Sequence, residues 1–141
     1  RRDRFREEGS FCQMELTQRA GVSSTIRDTN AGLGKETKLV LDEKLLTHDN
    51  QTAVSNMKID VNGDDSNVQV ISRSVAKGTS KQTFNPLVVG AAACHAHIQC
   101  DAILMDDATV TAIPGIEAAC PEAELVHEAA IGRLPASKLS S

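Results

Sequence analysis

Tryptophan and tyrosine are absent from this 141-residue chain, and phenylalanine occurs three times. That scarcity excludes an aromatic platform on which bases or sugars would stack, and it leaves a core to be assembled from Val, Ile, Leu, Ala and Met. No apolar run approaches bilayer length and no signal-peptide pattern is visible, so the sequence reads as cytoplasmic, without membrane insertion. Positive charge is short as well: 15 Lys and Arg face 19 Asp and Glu, for a formal net charge of −4. A nucleic-acid surface needs the opposite balance. Four cysteines at irregular spacing do not form a secreted disulfide framework and read as reduced thiols.

What is present is alternation. In "AVSNMKIDV", Ala53, Ser55, Met57, Ile59 and Val61 alternate with Val54, Asn56, Lys58 and Asp60, the signature of a strand with one buried face. Asn62-Gly63 supplies a tight turn, after which "NVQVISRSV" resumes the extended pattern from Asn67. Further strands are expected at "FCQMEL" from Phe11, "TKLVL" from Thr37, "QTFNPLVV" from Gln82, "HIQCDAIL" from His97, "TVTAI" from Thr109 and "AELVH" from Ala123. Pro86 has no N–H for a ladder and marks an edge or the first residue of its strand. "RRDRFR" opens a charged arm over residues 1–10 and reads as a solvated tail or helix end. Helix formers increase from Pro121, and residues 135–141 read as a C-terminal stub that begins a helix. The whole, residues 1–141, has the size of one domain.

Strands every ~10 to 15 residues, separated by turn formers, fit a sandwich, a barrel or a stacked solenoid. The shortage of aromatics and the abundance of small and β-branched residues favour the solenoid, whose rungs repeat one narrow interior. No strict sequence repeat accompanies them.

Three motif candidates fail on spacing. "GLGKET" has Thr29 where a phosphate loop needs its first glycine and Glu36 where it needs Ser or Thr. "DVNGDD" has Asp65 at the glycine position of a calcium loop and Ile71 at its closing glutamate. "HEAAI" has Ile131 where a zincin needs its second histidine. In "CHAHIQC", His95 and His97 share one face of a strand and Cys94 and Cys100 the other. The two cysteines lie roughly 20 Å apart along that strand, too far for one closed zinc site. A His95/His97 hydrolase would need further ligands and a base for which no spacing speaks. Cys100 is in phase with Ile98, Ala102 and Leu104, so a small buried hydrophobe competes with a reactive thiol there. Cys12, Cys94 and Cys120 read as structural.

"SRSVAKGTSKQTF", "CDAILMD" and "LVHEAAIGRL" resemble the core of the SufB/SufD family of iron-sulfur cluster assembly proteins, over about Thr37 to Leu134. The resemblance implies an all-β fold, a right-handed parallel β-helix with a helical end that is short and incomplete here. It implies a scaffold working with a SufC-like ABC ATPase, on which iron and sulfur are combined into a transient iron-sulfur cluster. Cys100 matches the family's essential cysteine, Glu128 the acidic residue that helps hold the cluster, and His127 a histidine at the subunit interface. A thiolate accepts sulfur or binds soft iron, and imidazole or carboxylate completes an open coordination sphere. His127 and Glu128 are adjacent, so on a strand they point to opposite faces. The partner is expected to be a second copy or a SufB/SufD-like subunit, with edge strands of the solenoids pairing. Family members extend further at both ends, so the chain is expected to be a truncated or reduced member. The competing reading is a purely structural solenoid that positions the ATPase; neither role is that of an enzyme.

Overall fold

The computed structural model of the chain describes residues 2–6, 12–20 and 23–134. They form eleven strands: β1 Arg2–Arg6, β2 Cys12–Ala20, β3 Ser24–Leu33, β4 Lys38–Thr47, β5 Thr52–Val61, β6 Ser66–Ala76, β7 Lys81–Gly90, β8 Cys94–Leu104, β9 Thr109–Ala112, β10 Gly115–Ala118 and β11 Ala123–Arg133. From β3 onward the chain alternates between two sheets. β3, β5 and β7 stack in parallel, and β9 and β10 follow on β7; β4, β6, β8 and β11 stack in parallel opposite them. The result is an all-β solenoid of about four turns, and no helix occurs among the described residues.

Register shows why no repeat was legible. Asn56 donates to Asp28, 28 residues back, and Asn85 donates to Asn56, 29 residues back. A rung therefore drifts by a residue, and what recurs is inward or outward parity. Met57, Ile59, Val68, Val70 and Ile98, expected inside, are all buried and belong to one core between the sheets. Burying each such side chain stabilises the fold by roughly 1.5–3 kcal/mol. Asn62-Gly63 joins strands of different sheets and closes no hairpin.

The corners carry the strain. Asp49, Gly78 and Asp106 occupy successive rungs, all with positive φ of 52°, 66° and 58°. A Cβ on Gly78 would stand 2.9 Å from the Asp49 carbonyl oxygen, so glycine is required there. The neighbouring turns are tied together: Thr79 N–H donates to Asp49 O at 2.8 Å, Asp107 N–H to Gly78 O at 3.0 Å, and Gly78 N–H to Asp106 Oδ2 at 3.0 Å.

Two expectations change, one strand is added to those expected, and the place of Pro86 is refined. Arg2–Arg6 is neither tail nor helix end but a strand antiparallel to β2. β3 went unread because Asp28, Asn30 and Gly32 interrupt its apolar pattern; pairing to β2 and β5 overrides that weak propensity. Helix formers after Pro121 yield to eleven paired positions on β8. Pro86 lies inside β7 and is buried, not at a strand start. Yet the next rung breaks beside it: β9 pairs with Lys81–Phe84 and β10 with Leu87–Gly90. Pro86 thus occupies a local edge within an internal strand, which reconciles it with a missing donor. The stub at 135–141, the side chain of Cys12 and residues 7–10 of the arm lie outside the described residues.

Candidate functional site

β4 brings a charge into the core. Its inward positions run Leu39, Leu41, Glu43, Leu45 and Thr47, so Glu43 points where apolar residues are expected, and it is 7% exposed. Register places Glu43 beside Ser72 on β6, Ser72 beside Cys100 on β8, and Cys100 beside Ala129 on β11. From the opposite sheet, Ser55 donates to Glu43 Oε2 at 2.9 Å and Arg27 Nη1 lies 3.1 Å from the same oxygen. Ser72 Oγ donates to Oε1 at 3.4 Å. Three partners thereby satisfy the carboxylate inside the solenoid.

Cys100 ends this column. It is 1% exposed, and burial raises its thiol pKa, with the nearby Asp101 and Glu43 carboxylates adding to the rise. A thiol so placed is neutral and unreactive until its surroundings open. Cys94 shares its face, also buried, its pKa raised by burial and then by Cys120.

His127 lies one inward step from Cys100's register partner, beside Ile98. It extends the aliphatic column Leu41, Val70, Ile98, and its Nε2 is buried without a hydrogen-bond partner. An imidazole ending a hydrocarbon column is a local conflict of the kind functional sites carry. Diagonal same-face neighbours of this sort stand roughly 7–8 Å apart. Glu128 faces the other way. It pairs on the outer surface with His97 at 3.4 Å, and Glu124 pairs with His95 at 3.0 Å.

The fold therefore brings Cys100 and His127 to one interior and leaves Glu128 outside it. Among the described residues, no three of His, Cys, Asp and Glu converge tightly enough to hold a metal ion. Sequence reasoning missed Glu43, Arg27, Ser55 and Ser72. The signal for Glu43 was there, since it shares its parity with Leu39, Leu41 and Leu45. Arg27 had none, because its strand was not read.

The chain matches the family model described as SUF system FeS cluster assembly, SufBD core domain, over residues 8–139. It is also similar to a protein of Archaeoglobus fulgidus named iron-sulfur cluster assembly SufBD family protein. Identity is 33% over 73 residues, covering 51% of this chain and 20% of that protein.

Proposed function

Because the chain belongs to the SufBD family of the SUF iron-sulfur cluster assembly system, we propose that it is a scaffold subunit on which iron and sulfide, as cargo, are combined. It works with a SufC-like ABC ATPase and a second copy or a SufB/SufD-like partner, in the cytoplasm, and is not itself an enzyme. Among the described residues, no helix is long and apolar enough to cross a membrane.

The observation that carries the reading is the placement, on one face of β8 and β11, of a buried thiol and an imidazole whose Nε2 is buried without a hydrogen-bond partner. As a thiolate, Cys100 ligates soft iron or takes the outer sulfur of a donor persulfide, whose own thiolate leaves, and His127 supplies a nitrogen ligand. Two donors leave the coordination sphere incomplete, so the partner subunit completes it beside β11, where strands of the two solenoids pair. Glu128, facing outward beside His97, enters as a ligand offered to that boundary. Since Cys100 is buried, the interior around it has to open for the thiol to work.

Anaerobic reconstitution followed by iron and sulfide analysis tests this. Cys100→Ser abolishes cluster retention, Cys12→Ser and Cys94→Ser change it little, and His127→Ala weakens it less than Cys100→Ser because one ligand of several is lost. A folded Cys100→Ser variant with full iron and sulfide would leave only the purely structural role of positioning the ATPase.

A further inference from the structure

The outer face of the β4–β6–β8–β11 sheet carries groups that the described residues leave unanswered. Lys44 and Arg73 are register neighbours on β4 and β6, and like charges directly opposite one another are unfavourable. Neither makes an ion pair with a described residue. Asp101 sits beside Arg73 on β8, yet its carboxylate accepts from Gln99 at 2.9 Å. Next to this row stands an apolar one, Leu46, Val75 and Ile103, with Leu46 76% and Ile103 45% exposed. These residues line a depression of about 900 Å³. A patch of this kind, rimmed by charge, marks an interaction surface.

The register suits one occupant, a second copy of the chain. A twofold axis along the strands, midway between β6 and β8, lays a second copy face to face. It keeps every residue at its own level, sets β6 against the partner's β8 and sets β4 against the partner's β11. Arg73 then meets the partner's Asp101, and at the opposite end of the strands Lys38 meets the partner's Glu124. Val75 faces the partner's Ile103, and Val40, 53% exposed, faces the partner's Val126. Leu46 faces the partner's Gly132, where a Cβ would meet nothing within 4 Å, a knob over a hole. Asp42 over the partner's Glu128 is the one like-charge meeting, and Lys44, two residues along the same strand, reaches across it.

We propose that this outer sheet face is a self-complementary docking surface for a second copy of the chain, distinct from the boundary beside β11. Aligned packing of two twisted sheets provides the geometry, and an isologous contact requires the same patch to carry both halves of each pair, as this one does. The proposal does not rest on cluster binding.

Charge reversal tests it through light scattering of the 15.0 kDa chain. Arg73→Glu sets two acids against each other across the axis and Asp101→Arg two bases, so each variant alone has half the wild-type mass. Mixed in equal amounts, the two variants complement one another at both contacts and regain that mass. Leu46→Gln, at a position that touches no core, also halves it. Equal masses for wild type, Arg73→Glu and Leu46→Gln, or no gain on mixing, would overturn the proposal. Strand pairing beside β11 is untouched by these changes, and cluster retention is read separately, so the two ideas fail independently.

Discussion

Replacing Glu43 by Leu should reveal how much the interior ion pair holds. The change removes the acceptor of Ser55 and Ser72 and leaves the Arg27 guanidinium unpaired. Each hydrogen bond to a charged group contributes about 1.5–3 kcal/mol, but three on one carboxylate are not additive. Breaking a buried pair from one side costs about 3–5 kcal/mol. Arg27 keeps 19% of its side chain in solvent, which places the expected loss near the lower end, about 3 kcal/mol. The double variant Arg27→Met with Glu43→Leu removes both charges and fills the space with hydrocarbon. It should recover most of that loss, giving a coupling of about 2 kcal/mol or more. Urea titration at neutral pH, followed by circular dichroism, measures all three variants. A loss under about 1 kcal/mol for Glu43→Leu, or additivity in the double variant, would refute the claim that this carboxylate is an organising charge of the core.

Other outcomes follow from named positions. Gly78→Ala places a Cβ against the Asp49 carbonyl at positive φ and should cost about 1–3 kcal/mol, read as a lowered urea midpoint. Ile98→Ala empties the centre of the core and should cost about 2–5 kcal/mol. Cys94 and Cys100 have folded pKa values above the ordinary 9.0 of a thiol, so the unfolded chain loses its protons first as pH rises. The stability owed to these neutral thiols is complete below 9.0 and is lost as pH climbs through the folded values. Replacing both by Ala should flatten stability against pH above 9.0, and an unchanged slope would assign it elsewhere.

Within a strand, the amino-acid order alone determined which side chains share a face. Alternation put Met57, Ile59 and Ile98 inside, His95 and His97 together, and His127 opposite Glu128, because successive residues of an extended chain point to opposite sides whatever lies beyond them. The Cys-Asp and His-Glu-Ala elements carried the family resemblance before any contact was known. Which strand lies on which was a different matter, because pairing joins residues 28 or 29 apart and a drifting register leaves no repeat to read. Only the tertiary structure put Arg27, from a strand the alternation does not mark, against Glu43, set a broken ladder beside Pro86 of β7, and buried Cys100 at the end of a polar column. The physical reason is that side-chain parity is a local consequence of backbone geometry. Burial and charge pairing depend on neighbours supplied by loop closures that local pattern does not encode.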